Sequence, residues 1–431
     1  MNLRNSLLAL ALSHIVSVIV LMVLFGSEQT SDSLRYITVA NEFLEFSMTP
    51  GANCITAPGY PFFLATTKFI TGYDKFIIAF LQALLFAASV SYLLSGLRKR
   101  AWLNGSQLIL LSVLILFSPD FLHANAKTLT ESLTTSLLIL VSASLLRDMK
   151  SLGPKVILIL SSTLLVVTKF EYLFVLPAVF FVLLKQRRFQ VAFFLTMALT
   201  LTLAANGLKN KHLFQKFNPF SFGSGTVMYG GNNLNGDGSW HIIGQTEGYL
   251  LARYETEYNK LLALECNSAC KCLARNSFFR SLAFDAWKSD PMDQVHVIPQ
   301  KFGKLWLLPG GVDIYSEREK IIPGLRFSLL FDVKLWSTAG IVKNVVITGL
   351  HWVYLILILL GVTVRARSRK MGSEDLFVLY VFLVISGLYS IPFYGLSRFH
   401  VPVFALLIPY AAQGLAFAHT RLVPNSRSDK L

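Results

Sequence analysis

Charge is what this sequence has least of. Only 15% of its 431 residues are charged while 54% are hydrophobic, which excludes an ordinary soluble domain, where about a quarter of residues carry charge. Nucleotide and hydrolase signatures are missing too. There is no Gly-rich phosphate loop, no Gly-x-Ser-x-Gly turn and no His-Glu-x-x-His helix, so neither nucleotide binding nor serine or zinc hydrolysis has support. Recognisable internal repeats, which mark many secondary transporters, are also lacking. The connections rich in basic residues are short, so no cytoplasmic domain of any size is expected, and direct use of a nucleotide sugar is not expected either.

Apolar runs are what the chain has in abundance. Taking stretches of roughly 20 residues as membrane spans, they cover Leu7–Phe25, Phe76–Leu94, Gln107–Leu122, Leu129–Leu146 and a pair within Lys155–Leu184. Val191–Ala205, Ile341–Val362, Leu376–Ile391 and Val401–Ala418 follow. The expected fold is an all-α polytopic membrane protein with about ten transmembrane helices. Leu7–Phe25 follows Arg4 as a signal peptide would, but its run is too long and no small-residue cleavage pattern follows, so it is read as the first span.

The net charge of +15 does not point to nucleic acid. Its basic residues fall in short clusters between alternate runs: Arg98 to Arg100, Arg147 and Lys150, Lys185 to Arg188, Arg365 to Lys370, and Arg421 with Arg427. With both termini in the cytoplasm, every cluster obeys the positive-inside rule. Three regions result: an N-terminal membrane module over 1–205 with its first outer loop at 26–75, an extracytoplasmic loop region over 206–337, and C-terminal membrane helices over 338–431.

This topology gathers Asp32, Glu131, Lys169, Glu171, the long loop and Arg398 on the extracytoplasmic side. Ser31 and Asp32 stand where a helix should begin, because Leu34, Ile37, Ala40 and Leu44 recur at helical spacing. Asp32 either caps that helix or serves as a base near the membrane surface. Each arm around Lys169, Phe170 and Glu171 has only about 14 residues, or about 21 Å of helix, too short for roughly 30 Å of hydrocarbon. The hairpin tip should therefore lie sunken in protein or in a wet recess. Lys169 is then either half of a packing ion pair with Glu171 or a cation at lipid-headgroup depth.

The loop opens on Gly- and Asn-rich PFSFGSGTVMYGGNNLNGDGSW, a composition suited to tight turns. Glu247–Trp287 reads as helical, and Asp290 with Pro291 as the start of another helix bearing Lys301 and Lys304 near its end. Those lysines either snorkel beside Trp306 or bind phosphate. All four cysteines, Cys54, Cys266, Cys270 and Cys272, fall on the outer side, where one or two disulfides are expected and three full pairings are open. Metal binding at CNSACKC is not expected, since no His flanks it.

Taken in order, these landmarks resemble the C superfamily of membrane glycosyltransferases, in particular the protein mannosyltransferase and aminoarabinose transferase group that uses polyprenyl-phosphate sugars. The resemblance covers most of the chain. It rests on Asp32, Tyr36 and Ala40 in DSLRYITVA, the Pro58-Gly59-Tyr60-Pro61 turn, Glu131 in LTESL, Lys169 to Glu171, Gly230 to Gly238, and Arg398, Phe399 and Pro402. One departure is Ser33, where that family often has a second acidic residue. The resemblance implies a GT-C fold with extracytoplasmic amphipathic helices, and Asp32 as catalytic base with Glu131 as a possible second carboxylate. It implies Lys169, Arg398 and Lys304 around the donor phosphate, and Tyr36, Tyr60, Glu171, Asn232 and Asn233 around the substrates. The implied partners are the lipid bilayer, a polyprenyl-phosphate sugar and a glycan, lipid or protein acceptor, with no cofactor or metal, at the outer face of a bacterial inner membrane. The competing expectations are a transporter or flippase of a lipid-linked glycan and, third, an assembly subunit.

Overall fold

The computed structural model describes residues 3–25, 31–72, 74–100, 102–232, 259–261, 263–264, 266–309, 338–368 and 371–422. All regular structure among the described residues is helical. The N-terminal region contains α1 (Leu3–Phe25), α2 (Ser31–Leu44), α3 (Pro50–Asn53), α4 (Gly59–Thr71), α5 (Lys75–Lys99), α6 (Gly105–Leu116), α7 (Pro119–Ala126) and α8 (Thr130–Leu145). Next come α9 (Leu152–Thr168), a 3-10 turn (Phe170–Val175), α10 (Leu176–Lys185), α11 (Phe189–Phe214), α12 (Ser224–Gly231), α13 (Ser268–Ser289) and α14 (Pro291–Trp306). The chain closes with α15 (Thr338–Arg367), α16 (Ser373–Ser390), a second 3-10 turn (Ser397–His400) and α17 (Val401–Leu422). Asn233 and the rest of the Gly and Asn run through residue 238, and the first part of the helix expected from Glu247, lie outside the described residues.

Every expected apolar run falls on a helix, and the chain is a multi-pass membrane protein. By length and composition, six described helices can cross a membrane, and a seventh span forms if α6 and α7 count as one. That pair bends by 49°, so the run expected at Gln107–Leu122 is not one straight helix. The reason is Pro119: it disfavours helical backbone at Ser118, which is extended at φ −61° and ψ 130°. The pair expected within Lys155–Leu184 is α9, the 3-10 turn and α10, with α9 only 17 residues long.

At the centre stands α8, packed by α5, α9 and α17. Thr130, Ser132, Thr134, Thr135 and Ser136 are all buried in it. Thr134, Thr135 and Ser136 donate to carbonyls one turn back at 2.7, 2.6 and 3.0 Å, so their hydroxyls cost little in a dry interior. Their small size also lets neighbouring helices approach. Close approach is closest between α15 and α17: a Cβ on Gly361 would run into the Tyr410 carbonyl, and one on Gly414 into the Leu357 carbonyl. Gly361→Val is therefore expected to cost about 1–3 kcal/mol through overpacking, read as a lower thermal midpoint in detergent. Gly349→Ala on the same helix meets nothing within 4 Å and should leave that midpoint unchanged.

Around this bundle, α2 packs on α3 and α4, and α13 packs on α3, α12 and α14. Cys54 is bonded to Cys272, tying the segment after α3 to α13, and Cys266 to Cys270. Asp290 caps α14 by accepting from the Asp293 amide. At its other end α14 enters the bundle, where the Trp306 indole N–H donates to Ser386 Oγ at 2.8 Å. Burial corrects one expectation here: Lys301 is 0% exposed and does not snorkel.

Candidate active site

The site is built where α9 stops short. Gly59 at the head of α4 lies against Thr168, the last residue of α9. A Cβ there would sit 2.6 Å from Thr168 Oγ1 and 2.7 Å from its amide nitrogen, so the Pro-Gly-Tyr-Pro turn owes its approach to the missing side chain. Lys169, the next residue, breaks the helix at φ −144° and ψ 109° and is buried. Its Nζ donates to Glu131 Oε1 at 3.0 Å, at the buried start of α8.

Asp32 joins the same group from α2. Its Oδ2 accepts from Arg398 Nη2 at 2.6 Å across 366 positions of sequence, and Arg35, one turn along, reaches back to Oδ1 at 2.9 Å. Arg398 Nε faces Glu131 Oε1 at 3.8 Å, outside hydrogen-bond range, and is a buried nitrogen with no hydrogen-bond partner. Charges thus alternate through Arg35, Asp32, Arg398, Glu131 and Lys169. Phe399 lies beneath both inner cations, 4.8 Å from Lys169 Nζ and 5.3 Å from the Arg398 guanidinium carbon.

Burial alone would raise the Asp32 carboxyl, but Arg398, Arg35 and Lys169 outweigh it and hold the pKa below its ordinary value. Asp32 is a carboxylate at neutral pH. Burial and the nearby Asp32 charge push the Tyr36 phenol up to about 12, so it stays protonated as a hydrogen-bond donor. Asp32, Arg398, Tyr36 and Glu171 are only half-buried, whereas Glu131 and Lys169 are enclosed. The group therefore has an open rim and a dry floor. Such a floor makes a cation more effective toward an anion than water would.

The other residues singled out by sequence have varied places. Glu171 accepts from the Tyr389 hydroxyl at 2.8 Å rather than pairing with Lys169. Tyr60 stacks edge-on against Tyr36 at 5.2 Å, but it is 0% exposed and donates to Gln82 at 2.7 Å. In this structure it forms part of the wall behind Tyr36. Asn232 is also spent internally, accepting from Lys301 at 2.8 Å and Trp287 at 3.2 Å and donating to the Pro392 carbonyl at 2.7 Å. Lys304 is half-buried on α14, while Lys301, a turn earlier, is the enclosed cation, its amine pulled down to about 8 by burial. Asn233 is outside the described residues. Sequence reading passed over Arg35, though three residues after Asp32 on a helix is a pairing distance. Tyr394, buried beside Arg398, had no such signal.

No protein-family model matches the chain, and no curated protein matches it. Solved structures do. The chain is similar to the archaeal oligosaccharyltransferase AglB from Archaeoglobus fulgidus in complex with an inhibitory peptide and a dolichol-phosphate, at 12% identity and a TM-score of 0.45, over 96% of this chain and 50% of that one. It is also similar to the Archaeoglobus fulgidus oligosaccharyltransferase in the apo form, at 12% identity and a TM-score of 0.44, over 96% and 51%. This chain spans about half the length of the solved proteins it matches.

Chemically, the site combines a carboxylate on an open rim with two cations over a buried floor. Arg398 presents an unmet N–H and Lys169 an ammonium that can turn between acceptors. An anion entering from the rim would find both. An arriving hydroxyl or amine would meet Asp32.

Proposed function

We propose that the chain is a membrane glycosyltransferase that moves a sugar from a polyprenyl-phosphate carrier to an acceptor, with inversion at the anomeric carbon. The observation that carries this is the joining of Asp32, Glu131, Lys169 and Arg398 into one ion-paired group where α9 ends early. A phosphate hung from a lipid arrives at headgroup depth, and two cations now paired with Asp32 and Glu131 would turn toward it.

In this reaction the acceptor oxygen or nitrogen gives its proton to Asp32 and bonds to the anomeric carbon. The bond from that carbon to the phosphate oxygen breaks, releasing polyprenyl phosphate. The leaving phosphate is a weak base, so it calls for positive charge rather than a proton. Arg398 supplies its planar fork and Lys169 a point charge. Donor binding also has an effect on the base: drawing Arg398 toward phosphate removes the chief cation from Asp32 and restores its basicity. The positive-inside pattern favours the extracytoplasmic face of an inner membrane for this chemistry.

What supports transfer over transport is the gathering of Asp32, Glu131, Lys169 and Arg398 into one group, since a passage calls for polar groups at successive depths. Purified protein is to be incubated with a membrane lipid extract and candidate acceptors, and the lipids analysed by mass spectrometry. Free polyprenyl phosphate appearing in step with glycosylated acceptor is the expected result. Passage of intact lipid-linked glycan across a vesicle bilayer, with no carrier released, would overturn the proposal in favour of a flippase.

A further inference from the structure

A second polar group lies on the far side of the turn that carries Arg398. Asp120 of α7, His351 of α15 and His400 at the end of the Ser397–His400 turn are at most 3% exposed. Each offers one ligand atom, and these atoms all lie within 4.8 Å of one another. No reading of the sequence brought them together, because they are 231 and 49 positions apart.

The hydrogen bonds around the two rings decide where their lone pairs are. His351 Nε2 lies 2.9 Å from the Trp306 carbonyl and His400 Nδ1 lies 2.5 Å from the Leu305 carbonyl. A carbonyl only accepts, so both nitrogens carry the proton. In the neutral rings, His351 Nδ1 and His400 Nε2 then hold lone pairs. His351 Nδ1 faces Asp120 Oδ2 at 3.3 Å, an acceptor facing an acceptor, which requires a cation between them. His400 Nε2 is buried and has no hydrogen-bond partner. A proton on His351 would satisfy Asp120 and leave His400 Nε2 stranded, a buried acceptor without a donor.

We propose that Asp120, His351 and His400 form a buried binding site for a divalent first-row metal, of which zinc fits best. Imidazole and carboxylate are suitable donors for zinc, and ligands at about 2.0–2.1 Å in a tetrahedron stand about 3.3 Å apart, matching the spacing of His351 and Asp120. A backbone carbonyl accepting the second ring N–H is the usual way a metal-bound imidazole is oriented, and both rings have one. Ligand atoms that now lie within 4.8 Å of one another would have to close by up to about 1.5 Å to reach that tetrahedral spacing. The fourth position is left to water.

The site has a structural role in this position. His400 follows Phe399, which underlies Lys169 and Arg398, so a metal on His400 fastens the turn that holds Arg398 to α7 and α15. The Leu305 and Trp306 carbonyls add the end of α14 to the same joint.

The test is metal content, which needs neither donor nor acceptor and so fails or succeeds apart from the proposed transfer. Untagged protein, purified without chelators and offered Zn²⁺, is to be assayed by elemental mass spectrometry. About one equivalent per chain is expected, falling at least tenfold in His400→Gln and Asp120→Asn but not in His296→Gln, whose ring is exposed on α14. If the variants do not fold, Co²⁺ loaded into the wild type decides: strong visible bands of a tetrahedral nitrogen and oxygen site are expected. Wild-type protein that holds no zinc above the His400→Gln level, or Co²⁺ that shows only the spectrum of the hydrated ion, would overturn the proposal.

Discussion

Asp32→Asn is expected to lower sugar transfer by about 10²–10⁴-fold, the usual worth of a positioned general base. The amide keeps the shape of the side chain and can still accept from Arg398, so a folded protein with a lower thermal midpoint, short by the ion-pair contribution of the carboxylate, is expected alongside the loss. Transfer within tenfold of wild type would move the base elsewhere, with Glu131 next in reach of the site.

The pH dependence sharpens that result. The Asp32 carboxyl is held below its ordinary 3.8 by Arg398, Arg35 and Lys169 against the opposing effect of burial. A carboxylate with a depressed folded pKa contributes stability that is fully present above the unfolded value and is lost as pH falls through the folded one. In the free protein this loss, and the acid limb of kcat/KM, should therefore fall below 3.8. With Arg398 shared with the donor phosphate, as the proposed reaction requires, the acid limb of kcat should stand at higher pH. Equal limbs in both profiles would argue that Arg398 never leaves Asp32.

Lys169→Met is expected to be the most destabilising of the site substitutions. It leaves Glu131, 4% exposed, as a buried carboxylate without its nearest cation, and breaking such a pair costs about 3–5 kcal/mol. Glu131→Gln added to Lys169→Met should recover most of that stability, because the surviving partner no longer carries charge. The double variant should nonetheless stay defective in transfer if Lys169 stands beside the leaving phosphate as proposed. A thermal melt and a transfer assay on both singles and the double measure the coupling. If the double variant regained transfer along with stability, Lys169 would be a packing partner and Arg398 the only phosphate ligand of the two.

Much of the fold was legible because its signals are local. Runs of apolar residues must be helical in hydrocarbon, where each backbone group needs a partner within its own segment. The Asp290 and Pro291 start of α14 and the Ser31 start of α2 are likewise written in adjacent residues. The expected membrane side rested on where Arg and Lys accumulate, and this expectation gathered Asp32, Glu131, Lys169 and Arg398 as candidates for one face. Their chemistry was not legible to the same depth. Tyr60 and Asn232 sit within conspicuous motifs, yet their polar atoms are used up on Gln82 and on Lys301, Trp287 and Pro392. A sequence shows that a side chain can bond, but not which partner reaches it first.

By itself, then, the sequence determined a helical membrane protein with polar residues in particular places along its spans, since solvation in a bilayer acts on each segment separately. Only the tertiary structure decided that Arg398 closes on Asp32 across 366 positions and also faces Glu131. It likewise decided that Cys54 pairs with Cys272, and that Asp120, His351 and His400 converge under the same turn. Those contacts depend on how helices pack, through features such as the bare backbone of Gly59 against Thr168 and of Gly361 against Tyr410. Packing is a property of pairs of surfaces, and no single stretch of sequence contains both.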